Sequence, residues 1–242
     1  MISVCIATYN GEHYIERQVT SILSQLGPDD EVVVSDDGST DNTLLILKQI
    51  NDKRVRIIDG PHRHSPTWNF ERALSEAKGD YIFMADQDDV WQPEKVKVSM
   101  AYLQKYDCVV SDNTTVAADG SIIEDSFFAA NHTRPGKIYN LLVKNGYLGC
   151  CMAFRRNVLE ASLPFPHDIP MHDIWIGNVA AFRFSLCFIP EKLMCYNRHG
   201  DNASSASEPS PYSIWQKLNF RWNIIRYLPN VLFTKIPREK RK

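Results

Sequence analysis

Tyr81-Ile82-Phe83-Met84-Ala85-Asp86-Gln87-Asp88-Asp89 decides the fold: an apolar run stops in three carboxylates within four residues. A short apolar run bounded by polar residues reads as a buried strand. A strand that ends in ligand-type side chains belongs to an open α/β sheet, where ligands bind outside the carboxyl ends of the strands. Two upstream stretches have the same form. Residues 2–7 run into Thr8-Tyr9-Asn10-Gly11, and residues 31–35 run into Asp36-Asp37-Gly38-Ser39-Thr40-Asp41. Between and after them lie helix-period stretches at 11–25, 40–50 and 67–77, with a further strand at 54–58. This alternation is the pattern of a doubly wound sheet.

The second half is less regular. Pro93 is placed to open a helix over 93–106. Residues 108–111 and 121–127 read as strands around a turn at Asp119-Gly120, 147–154 as an apolar stretch with small residues, and 172–182 as a helix. Short strands are expected at 185–189 and 192–196, and the first linker at 201–211, rich in Ser, Pro and Ala.

Turn and capping chemistry accounts for Ser39 and Thr40, since hydroxyls cap helices. It does not account for Asp86, Asp88 and Asp89 together, whose charges repel unless a cation sits among them. Carboxylates of this kind suit Mn²⁺ or Mg²⁺, which take their remaining ligands from phosphate and water. The chain has no GxGxxG after its first strand and no GxxxxGK[ST], so a metal-bridged diphosphate is the expected way of holding a nucleotide. The competing reading is a solvated acidic turn that caps the next helix.

At 242 residues, 44% hydrophobic and 23% charged, the chain suits one large α/β domain with a substantial core. The net charge of −2 hides an asymmetry: from residue 210 onward there are eight Lys/Arg and one acid, against 19 basic and 28 acidic residues before it. That basic tail is interleaved with Trp215, Phe220, Trp222, Tyr227 and Phe233. Two readings stand for it: a segment lying on an anionic membrane surface, or a helix packed on the domain and ending in solvated charge. The six cysteines show no metal-ligand spacing and sit mostly in apolar runs, so free buried thiols are expected. No leader or membrane-spanning run is read, and cytoplasmic placement is expected, peripheral on the inner face of the membrane if the tail lies on it.

In this order, Ile2-Ser3-Val4-Cys5-Ile6-Ala7-Thr8-Tyr9-Asn10, Asp36-Asp37-Gly38-Ser39-Thr40-Asp41 and Ala85-Asp86-Gln87-Asp88-Asp89-Val90-Trp91 resemble glycosyltransferase family 2. The resemblance covers about residues 1–202. It implies the α/β GT-A fold, a Rossmann-like mixed sheet flanked by helices. A nucleotide-binding half over about 1–112 and an acceptor half over about 113–202 are expected, with a linker and basic aromatic helix over 203–242 as a C-terminal appendage. It also implies a divalent metal and inversion at the anomeric carbon.

Carried over by position, Thr8, Tyr9 and Asn10 form the nucleobase side of the donor site, Asp37 bonds the base and Asp36 supports that loop. Asn69 and Gln87 line the donor site. Asp88 is the direct metal ligand, Asp86 reaches metal or ribose, and Asp89 caps the following helix. Gly149, Cys150, His172 and Trp175 fall on the acceptor side, with Asp173 as the base. Tyr196-Asn197-Arg198-His199-Gly200 is similar to a segment of rhamnosyltransferase-like members. It sets His199 at the metal and Arg198 on the donor side, although Asn197 stands where the pattern has arginine.

The activity expected is transfer of a hexose from dTDP-rhamnose or a UDP-hexose to a glycan or lipid-linked glycan in bacterial surface polysaccharide synthesis, with no nucleic-acid partner. Two alternatives stand beside it. A nucleotidyltransferase making the nucleotide-sugar would carry a Gly-rich basic loop after the first strand, which Thr8-Tyr9-Asn10-Gly11-Glu12 is not. A non-catalytic nucleotide- or carbohydrate-binding module would need no base at Asp173.

Overall fold

The structure, a computed structural model, describes residues 1–199 and 212–233. The linker expected over 201–211 and the basic residues after 233 lie outside the described residues.

The first half alternates as its apolar pattern dictates: β1 (Ile2–Thr8), α1 (Ile15–Leu23), β2 (Glu31–Asp36), α2 (Thr43–Ile50), β3 (Val55–Asp59), α3 (Pro66–Glu76) and β4 (Tyr81–Asp86). Val4, Cys5 and Ile6 are consecutive and all fully buried, so both faces of β1 are covered. Helix α1 buries Ile15, Gln18, Val19 and Ile22, one stripe of its surface. The four strands are parallel in the order β3-β2-β1-β4. The chain steps from β1 out to β2 and β3, then crosses back to β4. A crevice therefore opens between the carboxyl ends of β1 and β4, where the order reverses. Register sets Thr8 beside Asp36 and Ala7 beside Asp86, so the three polar clusters leave the sheet at one edge.

The second half extends the same sheet with β5 (Val90–Trp91), β6 (Cys108–Ala117), β7 (Ile122–Glu124), β8 (Met152–Arg155) and β9 (Leu186–Arg198). The order continues β4-β8-β6-β9-β5, and β8 runs antiparallel to both β4 and β6, which makes the sheet mixed. The helices are α4 (Lys95–Leu103), α5 (Phe127–Ala130), α6 (Lys137–Leu142), α7 (Arg156–Ser162), α8 (His172–Arg183) and α9 (Ile214–Phe233), with a 3-10 turn at Gly149–Cys151. The boundary expected near residue 112 falls inside β6.

Several local expectations are corrected. The two strands expected at 185–189 and 192–196 are one, β9, because β6 pairs along its length through two register shifts that absorb the polar break at Pro190-Glu191. The strand expected at 121–127 stops at Glu124, since the Ser126 hydroxyl accepts the Ala129 N–H and starts α5. Pro93 lies before α4, whose N-cap is Glu94. Residues 147–154 divide into the 3-10 turn and β8. All six cysteines are free.

Helix α9 packs on α8. Ile224 and Leu228 are buried, the Asn223 side chain donates to the Asp168 carbonyl at 2.8 Å, and Arg226 pairs with the Asp168 carboxylate. No helix among the described residues is long and apolar enough to cross a membrane.

Candidate active site

A cavity of about 420 Å³ opens at the β1–β4 crevice. Tyr9, Asp37, Asn69, Asp86, Gln87 and Asp88 line one side, and Gly149, His172 and Asp173 the other. Two strand ends, β1 and β4, are tied by one side chain. Gln87 Oε1 accepts the Thr8 hydroxyl at 2.6 Å and the Tyr9 N–H at 2.9 Å, while its Nε2 donates to the Tyr9 carbonyl at 3.1 Å. Gly11 lets it approach closely, because a Cβ there would stand 2.5 Å from Gln87 Oε1 and push that side chain aside.

The β2 end is built from carboxylates satisfied by backbone. Asp36 accepts the Gly38 and Ser39 N–H groups and the Ser39 hydroxyl, which closes the turn after the strand. Asp37 accepts the N–H groups of Arg63 and Ser65 at 3.2 and 3.1 Å and so holds the loop after β3 against the cavity. Asn69 donates to the Thr8 carbonyl at 3.1 Å, and its buried Oδ1 has no hydrogen-bond partner among the described residues. Asn10 sits at φ 48°, a left-handed conformation that asparagine tolerates. There its Oδ1 accepts the Thr40 N–H at 2.9 Å, clamping the loops after β1 and β2 together on the exposed side.

Acidic groups crowd the cavity floor. Burial, with the Asp88 and Asp173 charges nearby, pushes the Asp86 carboxyl up to about 7. Asp88 Oδ2 lies 2.8 Å from His199 Nε2 and accepts from it when that nitrogen carries the proton, and the His199 ring stacks on Tyr14 with centroids 4.4 Å apart. Asp89 is fully buried and burial raises its carboxyl well above the usual range. It accepts the Asn197 N–H at 3.1 Å, and Oδ2 has no hydrogen-bond partner among the described residues. Asp89 therefore anchors β9 to the β4 end and does not cap α4, whose N-cap is Glu94.

Behind this floor stands Lys95, buried, with Nζ 2.7 Å from the Cys150 carbonyl and 4.9 Å above the Trp91 ring. Burial lowers its ammonium, while the nearby thiols and the Asp89 and Asp86 carboxylates favour the charge.

On the opposite wall, Asp173 Oδ1 accepts the Ile174 N–H at 2.7 Å and Oδ2 the Gly149 N–H at 3.3 Å. Burial pushes this carboxyl up to about 6. His172 stacks on Phe70 with centroids 4.2 Å apart, and burial holds its imidazole down at about 3, so the ring is neutral. Gly149 leaves room for both, since a Cβ would stand 3.0 Å from His172 Nε2.

Several sequence-derived candidates are outside the cavity wall. Trp175 is core: it is buried and donates from Nε1 to the Ser162 carbonyl at 2.8 Å, because its position on α8 points inward. Cys150 is buried within the 3-10 turn, and it presents its carbonyl to Lys95 rather than a thiol to the cavity. Thr8 lies under Gln87, Arg198 is the last residue of β9, and His199 reaches the site through Asp88. Phe127 and Asn131, from the segments 127–128 and 131–137 that the sequence offers as an acceptor loop, line the cavity. Asn145 and Tyr147 on its wall, and Lys95 and Tyr14 behind it, were not legible in advance. Nothing in the local sequence of these four separates them from surface or core residues, and only the pairing of distant segments brings them to the site.

The donors on the floor fit a divalent metal. Asp86 and Asp88 are hard oxygen ligands of the kind Mn²⁺ or Mg²⁺ takes, His199 meets Asp88 from behind the wall, and the like-charge crowding that adds to burial in raising Asp86 is relieved by a cation. The tightest grouping among the described residues is a different one: Asp86, Asp89 and Cys150, with ligand atoms within 4.8 Å of one another. Two of those three are fully buried behind the floor, and a thiol whose pKa is raised is a poor partner for a hard cation.

A mixed, doubly wound sheet with its ligand crevice at the β1–β4 switch and an acidic strand end facing a separate carboxylate is the GT-A fold. The chain belongs to glycosyl transferase family 2, whose sequence model matches residues 3–163. It is 28% identical over 180 residues to the UDP-Glc:alpha-D-GlcNAc-diphosphoundecaprenol beta-1,3-glucosyltransferase WfgD of Escherichia coli, covering 73% of this chain and 69% of that protein. Over 220 residues it is 27% identical to the dTDP-rhamnosyl transferase RfbG of Shigella flexneri, covering 84% and 74%. The structure of S. aureus TarS residues 1–349 in complex with UDP-GlcNAc superposes with a TM-score of 0.68 at 20% identity, over 96% of this chain and 70% of that one.

Proposed function

We propose that this protein is an inverting, metal-dependent hexosyltransferase. It moves a sugar from a nucleotide-diphosphate donor, a UDP-hexose or dTDP-rhamnose, to a hydroxyl of a glycan or lipid-linked glycan during bacterial surface polysaccharide synthesis. The observation that carries this reading is one cavity with Asp86 and Asp88 on its floor and Asp173 on the facing wall. The glucosyl and rhamnosyl transferases among its relatives support the donor class.

In this reading Tyr9, Asp37 and Asn69 hold the nucleoside: Asn69 Oδ1 is a buried acceptor available to a donor group, and Tyr9 offers a ring face beside His64, 4.6 Å away. Asp86, Asp88 and His199 would hold Mn²⁺ or Mg²⁺, which would supply positive charge against that developing on the departing diphosphate. Asp173, oriented by the Gly149 and Ile174 N–H groups, takes the proton from the acceptor hydroxyl as its oxygen attacks C1 from the face opposite the diphosphate. A carboxyl at about 6 is ionised at neutral pH and more basic than an ordinary aspartate, as a general base requires. The test is a panel of nucleotide-sugars screened for metal-dependent donor hydrolysis with and without glycan acceptors. Turnover of none of them by folded protein would overturn the reading.

A further inference from the structure

Helix α9 carries two apolar stripes. The inner one, Ile224 and Leu228, is buried against the domain. The outer one, Trp215, Leu218, Trp222, Ile225, Leu232 and Phe233, recurs at helical spacing and faces water, with Trp215 82%, Trp222 60% and Phe233 84% exposed. The end of α6 adjoins it, since Arg221 donates to the Val143 carbonyl at 3.0 Å, and there Ile138, Leu142 and Val143 are exposed as well. A continuous apolar face of this extent marks an interaction site.

Its charge is predominantly basic. Residues 131–149 and 212–233 contain Arg134, Lys137, Lys144, Lys217, Arg221 and Arg226 and no Asp or Glu, and the Asp168 carboxylate at its edge is paired with Arg226. A second copy of this chain would bring like charge against like, whereas an anionic lipid surface complements it. Tryptophans flanked by lysine and arginine are the composition of a helix lying at the headgroup level of a bilayer. We propose that the α6–α9 face is a docking surface for an anionic membrane, with α9 lying in the plane of the interface.

The placement has a consequence that rests on the proposed transferase activity. A second cavity of about 410 Å³ lies between α6, α8 and α9, with Lys144, Lys217 and Arg221 in its wall. It shares Asn145, Met171 and Ile174 with the catalytic cavity. Docking through α9 would bring this second cavity, and with it the Asp173 wall it adjoins, near the bilayer, where a lipid-linked acceptor would be presented.

The test is sedimentation of the full chain with vesicles of mixed phosphatidylglycerol and phosphatidylcholine, and of phosphatidylcholine alone. Binding to the anionic vesicles that weakens as salt rises is expected. The double variant Trp215→Ala/Trp222→Ala should bind about tenfold less, with an unchanged melting temperature because both side chains are exposed. Folded wild-type protein that leaves the anionic vesicles in solution overturns the proposal, as does a double variant that binds equally well. A dimer in solution that this variant dissociates, without vesicle binding, assigns the face to a second copy and also overturns it. Donor hydrolysis measured without vesicles separates the two readings: its absence alongside intact vesicle binding refutes the activity and leaves the docking surface standing.

Discussion

Replacing Asp173 with asparagine separates chemistry from folding. The Asp173 carboxyl is pushed up to about 6 by burial, from an ordinary value of 3.8. A carboxyl raised in the folded state contributes its full stability below the unfolded value and loses it as pH rises through the folded one. The window therefore runs from about pH 4 to pH 6, and above it the folded protein carries an anion that is better solvated in the unfolded chain. A shift of about two units corresponds to about 3 kcal/mol, which the part-exposed position of the carboxylate reduces to about 1–2 kcal/mol. Asparagine carries no charge and removes this penalty, while misplacing its amide against the Gly149 or Ile174 N–H costs about 1 kcal/mol. Urea denaturation of both proteins from pH 4 to pH 8 should show the variant gaining about 1–2 kcal/mol relative to wild type across the window and nothing further above it. Transfer should be lost while nucleotide binding persists. A stability difference that is flat across the window would refute the buried-carboxylate argument, and retained transfer would refute the base.

Wild-type kcat/KM should fall about tenfold per pH unit below about pH 6, and a profile flat down to pH 4.5 would point to a different base. Chelation should abolish turnover, with Mn²⁺ or Mg²⁺ restoring it in wild type but not in Asp88→Asn; full activity in chelator would remove the metal from the reading. Lys95→Met should destabilise the fold by about 1–3 kcal/mol in denaturant titrations, because the Cys150 carbonyl loses its donor and the buried carboxylates lose their cation. Gly11→Ala should weaken nucleotide binding by calorimetry and lower the melting temperature, since its Cβ displaces the Gln87 side chain whose bonds tie β1 to β4.

The first half of the fold was legible because its strands are short apolar runs buried on both faces and its polar clusters fall at their carboxyl ends. Periodicity and strand-end chemistry are local properties, so residues 1–91 reveal β1 to β4 and the acidic cluster that follows β4 without tertiary information. Element boundaries in the second half were not legible to the same degree. β9 is held straight through a polar break by pairing with β6, and α5 starts on a capping bond within a stretch that alternates like a strand. The directions of Trp175 and Cys150 also depended on packing, since a position on a helix or turn does not say which face meets the cavity.

The sequence by itself determined an α/β sheet of this family and the acidic residues that face its ligand crevice, because ligand-type side chains at strand ends are encoded one strand at a time. Only the tertiary structure decided their division of labour. Gln87 is turned to backbone ties, Asp89 is turned inward to β9, and Lys95 stands behind the floor as the cation facing both carboxylates and thiols. The outer stripe of α9 likewise became visible only once the inner stripe was seen to be covered. Those assignments rest on which partner each polar atom meets across 50 to 110 residues of chain, and that distance in sequence is what a local pattern does not record.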